Sequence, residues 1–291
     1  MPSTRDIRRR IRSIKNTAQI TKAMQMVASS KMRKAQVAAQ AGRPYAKLMN
    51  EVMAAVSDGA GDFTHPLMEA REGGKHAVIL VSTDKGLCGG LNSNLFRETA
   101  RFDKETVYVA AGKKGAQFLS RTRRQLKAEF SYKDNPQFSE ARAISRFAQD
   151  LFLKGEVDRV DVLYTNFINT LTQKAEVRQL LPIGQIKALE ADVAGEGGGG
   201  ELKKGDFEYS FEPNASAVFG NLLPHYVNFQ VYQFLLEAKA SEHSSRMVAM
   251  KNATDNAAQI IKDLTLEYNK LRQANITKEL LEITTAQMAM G

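Results

Sequence analysis

The chain has 291 residues, of which 43% are hydrophobic and 25% charged, a composition typical of a folded protein of one or two domains. The net charge of +9 indicates either an acidic partner or a generally basic surface. The single cysteine, Cys88, excludes an intramolecular disulfide and a cysteine-based zinc site, and it favours a reducing compartment. The apolar runs are too short to cross a bilayer, so we expect membrane association to go through partners.

The N-terminal segment carries a heptad pattern of apolar residues. From Ile7 to Val56, the positions spaced alternately four and three residues apart are nearly all apolar. We predict one helix over this segment, with a kink or local break at Pro44 and an end near Ser57–Gly61. Because about 54 helical residues span roughly 80 Å, we expect part of this helix to leave any globular body.

Three further apolar residues of this helix, Ile20, Met24 and Val27, lie outside the heptad seam. The segment Ile20–Ala28 is therefore apolar on more than one face. This pattern suits a helix that contacts a second helix on one side and another subunit on the other.

The middle of the chain alternates predicted strands and helices, which is typical of an α/β layer. Apolar, β-branched runs predict strands at His76–Thr83, Thr106–Ala111, Arg159–Ile168 and Ala175–Pro182. Amphipathic segments predict helices at Asn92–Phe102, Lys114–Ser120 and Ala141–Leu153. The run Gly197–Gly200 predicts a flexible loop to which we assign no role, and Phe207–Phe211 reads as an edge strand.

A second heptad pattern, from Met247 to Leu271, lies in a long helical segment that begins at Ala215. Its predicted partner is the N-terminal seam. The predicted fold class is therefore α/β, with a long antiparallel coiled coil of the N- and C-terminal helices plus a central Rossmann-like α/β domain. We place the domains at 1–60, 75–212 and 213–286, with the first and the third pairing as one structural unit.

The loop Asp84–Leu91 follows a strand and opens a helix, a position at which phosphates are often bound. It lacks the Gly-Lys-Ser/Thr ending of a P-loop and the spacing of a dinucleotide fingerprint. A tight turn is therefore favoured over a nucleotide site. The four histidines are scattered without metal-ligand spacing, so we predict no catalytic, cofactor or metal site.

Positive charge is concentrated at the N-terminus. Residues 1–36 carry ten Lys and Arg residues against the lone Asp6. A basic coiled coil can bind nucleic acid through phosphates, or acidic loops on protein partners. The basic residues overlap the heptad seam, which differs from the basic region followed by a leucine zipper in bZIP proteins.

Three blocks of sequence together resemble the gamma subunit of F-type ATP synthase. Ile20-Thr-Lys-Ala-Met-Gln-Met-Val-Ala28, followed by Ser30-Lys-Met-Arg-Lys-Ala35, resembles the N-terminal signature of that family. Ser82-Thr-Asp-Lys-Gly-Leu-Cys-Gly-Gly-Leu-Asn92 is similar to its turn after the first central strand. Glu267-Tyr-Asn-Lys-Leu-Arg-Gln-Ala-Asn-Ile-Thr-Lys-Glu-Leu280 is similar to its closing signature. The blocks are collinear and span nearly the whole chain.

This resemblance implies a central rotor stalk without catalytic residues or a cofactor. Its coiled coil would turn inside a ring of alpha and beta subunits, and its α/β domain would sit beside the epsilon subunit on the c-ring. The implied location is peripheral, on the cytoplasmic side of the bacterial inner membrane. The resemblance also implies contacts with the alpha and beta subunits at Lys22, Met24, Lys31, Arg33, Lys34, Arg272 and Gln273. The last residues, Thr284–Gly291, depart from the family pattern but stay small and apolar.

Two other functions remain open from the residues alone. One is a nucleotide-using α/β enzyme with helical arms, for which the chain alone would bind nucleotide tightly. The other is a basic coiled-coil nucleic-acid binder, for which retention on DNA would depend steeply on salt.

Overall fold

The computed structural model describes residues 3–60, 65–71, 73–183, 212 and 214–290. The chain folds into two compact units, formed by the described parts of Met1–Ser29 with Arg246–Gly291, and of Ser30–Ser245. Helix α1 (Thr4–Ala60) and helix α5 (Ala215–Met290) each contribute to both units. The domain bounds 1–60, 75–212 and 213–286 stay a prediction.

Helix α1 runs through Pro44 without interruption, so a local break at this residue is wrong. Pro44 is exposed, while Met49 and Met53 in the following turns are buried in the main core. Their packing offsets the backbone hydrogen bond that proline cannot donate. The helix ends at Ala60, within the predicted region.

Five strands form one sheet in the second unit, in the order β3-β2-β1-β4-β5. The first four strands are parallel, and the last pairs with its neighbour in the antiparallel sense. The strands are β1 (His76–Val81), β2 (Val107–Ala111), β3 (Gln125–Phe130), β4 (Arg159–Phe167) and β5 (Gln173–Leu181).

Three shorter helices connect these strands: α2 (Leu91–Glu98), α3 (Lys113–Arg121) and α4 (Phe138–Leu153). Side chains alternate across β1, so that Ile79 enters one apolar cluster and Leu80 the other. The larger cluster packs β-strand side chains against α1, α4 and α5, and the smaller packs them against α2 and α3. The sheet is thus covered by helices on both faces, which its nearly continuous apolar strands require.

The predicted strands and helices of this unit are confirmed to within a few residues, with one omission. Strand β3 was not predicted, and it lies at the edge of the sheet next to β2. The predicted strand at Phe207–Phe211 and the loop at Gly197–Gly200 lie outside the described residues. Within the described residues, no helix combines the length and the hydropathy that crossing a membrane requires.

The first unit is an antiparallel pair of helices. Thr21 Oγ1 lies 2.7 Å from Thr254 Oγ1, and Arg8 donates a hydrogen bond to the Tyr268 hydroxyl at 2.5 Å. The two helices therefore run in opposite directions. This geometry confirms the predicted antiparallel coiled coil.

Burial in the first unit follows the two predicted seams. Ile7 and Ala28 of α1 are buried, as are Met250 and Ala257 of α5, and all four occupy seam positions. Thr21 and Thr254 pair within the seam, so a polar seam position is satisfied by a hydrogen bond across the interface. Small seam residues let the two helices approach closely.

Replacing Leu264 with Ala is expected to destabilise the helix pair by about 1–2 kcal/mol, because this side chain is half-buried in the seam. Leu266→Ala is the matched control on the same helix, since Leu266 is 57% exposed, and its effect should stay within about 0.5 kcal/mol. Urea unfolding followed by circular dichroism measures both variants. Equal losses of unfolding free energy in the two variants would contradict the placement of Leu264 in the seam.

Candidate functional site

The paired helices expose apolar side chains away from their seam. On α1, Ile20 and Val27 are 60% and 55% exposed, and Met24 is half-buried. This arrangement confirms that the segment is apolar on more than one face. Exposed apolar residues clustered over two helical turns, with basic residues beside them, are typical of a protein–protein contact surface.

The C-terminal end of α5 has no helical partner among the described residues. Its residues 272–289 are all exposed, and several of them are large and apolar. These apolar residues are Ile276, Leu280, Leu281, Ile283 and Met288. An exposed apolar helix of this kind gains stability by packing against another molecule.

The predicted contact residues are distributed along the two helices and do not form one pocket. Lys22, Arg33 and Lys34 on α1 are exposed, and Met24 is half-buried. Arg272 and Gln273 are exposed at the start of the unpaired part of α5. Lys31 differs from the others because its ammonium group forms an ion pair with Asp134 of the same chain.

Helix α5 lies against the carboxyl ends of β1 and β4. In open α/β sheets, ligands bind at the carboxyl ends of the strands where the strand order reverses, which here lies between these two strands. Ser241 Oγ donates to the Thr165 carbonyl oxygen at 2.9 Å, and Ser245 Oγ donates to that of Cys88 at 2.7 Å. The usual ligand position is thus occupied by the protein's own helix.

The loop Asp84–Leu91 is closed by its own polar groups. The carboxylate of Asp84 accepts a hydrogen bond from the backbone N–H of Lys113 at 3.0 Å, at the first residue of α3. Asp84 therefore bonds to the N-terminus of α3, while the loop itself leads into α2. Asn92 Nδ2 donates to Thr83 Oγ1 at 2.7 Å and closes the turn. Among the described residues, no group of His, Cys, Asp and Glu is placed to hold a metal ion.

A cluster of charged residues joins both long helices to the sheet, and we call it the ion bridge. Asp134, in the loop after β3, pairs with Lys31 of α1 and lies 3.9 Å from Lys239 of α5. The ammonium of Lys239 also pairs with Glu242 at 3.0 Å. The pKa of Asp134 is lowered, first by the hydrogen bond from Lys31 and also by the charge of Lys239. The bridge thus alternates positive and negative charges across three elements.

Tyr132 connects the ion bridge to the sheet. Its hydroxyl donates to the Ser82 carbonyl oxygen at 3.1 Å, directly after β1, and the Lys239 ammonium lies 4.5 Å from its ring centroid. Burial raises the pKa of Tyr132 well above its usual value, and the negative charge of Glu242 adds to this. The hydroxyl therefore stays protonated and keeps its hydrogen bond.

Sequence reasoning missed the ion bridge. A usable signal was present, because Lys239 and Glu242 stand three residues apart on α5. Charged residues on a buried helix face require partners, and the i,i+3 spacing lets these two pair. The third member, Asp134, gave no signal because its position depends on how the loop after β3 folds.

Sequence comparisons place this chain among known proteins. The sequence profile of the family described as ATP synthase matches residues 3–290. A protein of Opitutus terrae named ATP synthase gamma chain is 50% identical over 291 residues, which cover 99% of each chain. The chain belongs to the ATP synthase gamma chain family. A second member, from Methylacidiphilum infernorum, is 48% identical over 297 residues that cover all of both chains.

Solved structures share the fold. A chain of the mitochondrial ATP synthase of Euglena gracilis, in a structure of OSCP/F1/c-ring, has a TM-score of 0.70 at 21% identity, covering 99% of this chain and 94% of that one. A chain of the Tetrahymena thermophila central stalk/c-ring structure has a TM-score of 0.59 at 26% identity, covering 80% and 99%. The predicted fold class is confirmed. Family membership also favours the stalk over the nucleotide-using enzyme and the nucleic-acid binder.

Replacing Gly112 with Ala is expected to cost about 3 kcal/mol or more in unfolding free energy. Gly112 has a φ of 108°, and an added Cβ would lie 2.2 Å from the Ser82 carbonyl oxygen. Gly86→Ala is the control, because a Cβ at Gly86 meets nothing within 4 Å. Thermal unfolding of both variants tests the expectation, and a Gly112→Ala protein as stable as the control would contradict the close contact beside β1.

Proposed function

We propose that this gamma chain is the central rotor stalk of the F-type ATP synthase and couples proton flow to ATP synthesis or hydrolysis at the beta subunits. The observation that carries this proposal is the antiparallel helix pair, which keeps its seam residues buried and exposes apolar residues elsewhere. The stalk supplies no catalytic group. Its contribution is mechanical, since it transmits rotation between the ring of c subunits and the catalytic ring.

The asymmetry of the helix pair gives the stalk its effect on the beta subunits. Its two helices present different side chains, so a symmetric ring placed around them meets a different surface on each side. Each beta subunit is then biased toward a different conformation by its own contact energy. Rotation moves this bias from one beta subunit to the next.

The contacts with the alpha and beta subunits are proposed at Lys22, Met24, Lys31, Arg33, Lys34, Arg272 and Gln273. Their support is that most of them are exposed, and that the basic residues suit acidic segments of a partner. Lys31 shares its charge with Asp134, so we expect it to attract a partner less strongly than Arg33 or Lys34 does.

The proposed partners are the alpha and beta subunits, the epsilon subunit and the c-ring. The related Tetrahymena thermophila structure, a central stalk with its c-ring, supports the c-ring as a partner. The complex is membrane-associated, and the chain reaches the membrane through it. We place the protein on the cytoplasmic side of the bacterial inner membrane, supported by its bacterial relatives.

Co-purification tests the function directly. A tagged chain expressed in its own host is expected to bring down a large complex that hydrolyses ATP, whereas the chain alone should hydrolyse none. Tight nucleotide binding by the isolated chain, together with the absence of such a complex, would contradict the proposal.

Replacing Met24 with Lys is expected to lower the number of protons pumped per ATP hydrolysed by about twofold or more, because an ammonium group at a tight apolar contact loses its hydration. Assembly should be affected less. Gln40→Lys adds the same charge at an exposed position further along α1 and should leave the ratio unchanged. Proton pumping and ATP hydrolysis measured in the same inverted membrane vesicles give the ratio, and an unchanged value for Met24→Lys would refute the proposed contact.

A further inference from the structure

The second unit holds the long helices by apolar packing, by hydrogen bonds from α5 such as Ser241 to Thr165, and by the ion bridge, which contacts both helices. Met53 of α1 and Leu235 of α5 are buried in the main core. Apolar burial is non-directional and strengthens with the area removed from water. Hydrogen-bonded ion pairs fix both a distance and an angle. Asp134 is hydrogen-bonded to Lys31, whereas Lys239 lies 3.9 Å from it and contacts it by charge alone. The ion bridge is therefore better suited than the core to fix how α1 is rotated on the sheet, and it adds a directed charge contact for α5.

The ion bridge lies where the two helices pass out of the second unit. This unit begins at Ser30 on α1 and ends at Ser245 on α5. Lys31 directly follows the first of these limits, and Glu242 lies within one helical turn of the second. Any torque that the sheet passes to the helices must cross these turns before it leaves the unit.

Burial makes the inner part of the ion bridge strong. The side chains of Lys239 and Glu242 are 1% and 4% exposed, so water and salt compete little for their charges. Asp134 is about half exposed, and its two carboxylate oxygens face different helices, Oδ2 toward Lys31 and Oδ1 toward Lys239. One carboxylate thus connects both helices.

Asp134 is itself held by the sheet. It follows β3 by a few residues, and the nearby Tyr132 is hydrogen-bonded to the end of β1 through Ser82. Asp134 follows Tyr132 by two residues and precedes the start of α4 at Phe138 by four. Movement of Asp134 relative to the sheet is therefore restricted, and a restricted carboxylate is what a rigid connection needs.

We propose that Asp134 is a positioning residue, which locks the rotational setting of α1 and α5 on the sheet through Lys31 and through Lys239 with Glu242. This inference rests on the proposed function, since a stalk that carries torque gains from a stiff attachment. The ion bridge acts on the stiffness of the stalk and leaves the chemistry at the beta subunits unchanged.

The test measures torsional stiffness in the complex of this chain with its alpha and beta subunits. The hexamer is fixed to a surface, and a bead is attached through a cysteine introduced at the exposed Glu105. During a catalytic pause, the variance of the bead angle is inversely related to the stiffness of the stalk. Asp134→Asn is expected to raise this variance by about twofold, because it removes the charge shared by both helices. The ATP hydrolysis rate at low load should stay close to that of the parent.

Two further variants separate the ion bridge from a general loss of charge or of folding. Glu156→Gln removes one carboxylate from the exposed Lys127–Glu156 pair, which joins β3 to the turn after α4, and should leave the variance unchanged. Asp134→Glu keeps the charge and should restore most of the stiffness.

The experiment distinguishes failure of the proposed stalk function from failure of the proposed role of Asp134. If the parent complex does not form or does not rotate, the stalk function is wrong. If the parent complex rotates but Asp134→Asn and Glu156→Gln give the same variance, the stalk function is retained and the proposed role of Asp134 is wrong. If Asp134→Asn and Asp134→Glu raise the variance equally, the charge of Asp134 does not account for the stiffness, and its proposed role is also wrong.

Discussion

The pairing of the two ends of the chain is the interaction on which the rest of the structure depends. Two heptad seams more than 200 residues apart in sequence meet in antiparallel register, with Thr21 against Thr254 and Arg8 against Tyr268. Bringing such distant segments together has an entropic cost, which the sheet unit reduces by holding both helices in one core. The α/β insert therefore acts as a clamp that packs parts of both long helices into one core.

The packing of α5 against this unit also concerns the position at which Rossmann-like sheets usually bind a ligand. The crevice at the carboxyl ends of β1 and β4 receives α5, and serine hydroxyls of that helix bond to the backbone there. The carboxylate of Asp84, at the start of the loop after β1, accepts a hydrogen bond from the N-terminus of α3. A position that many α/β proteins use for a cofactor serves in this chain to hold a helix.

The sequence predicted the features that repeat, and it missed those that depend on a single loop. Heptad spacing identified Ile7, Ala28, Met250 and Ala257 as seam residues because each one reinforces the same period. Strand β3 was missed because Gln, Lys, Ala and Glu dominate it, and its alternating pattern is that of an edge strand with weak β-propensity. The ion bridge was missed because Asp134 meets Lys31 and Lys239 only after three separate elements have folded.

The central claim is that this chain turns within the complex as ATP is hydrolysed. The most direct measurement attaches a bead to the exposed Glu105 position, replaced by cysteine, in a surface-fixed complex with the alpha and beta subunits, and follows the bead as ATP is added. The account predicts stepwise rotation in one direction, at a rate that rises with ATP concentration until it saturates. Sustained ATP hydrolysis with a stationary bead firmly bound to the chain would contradict it.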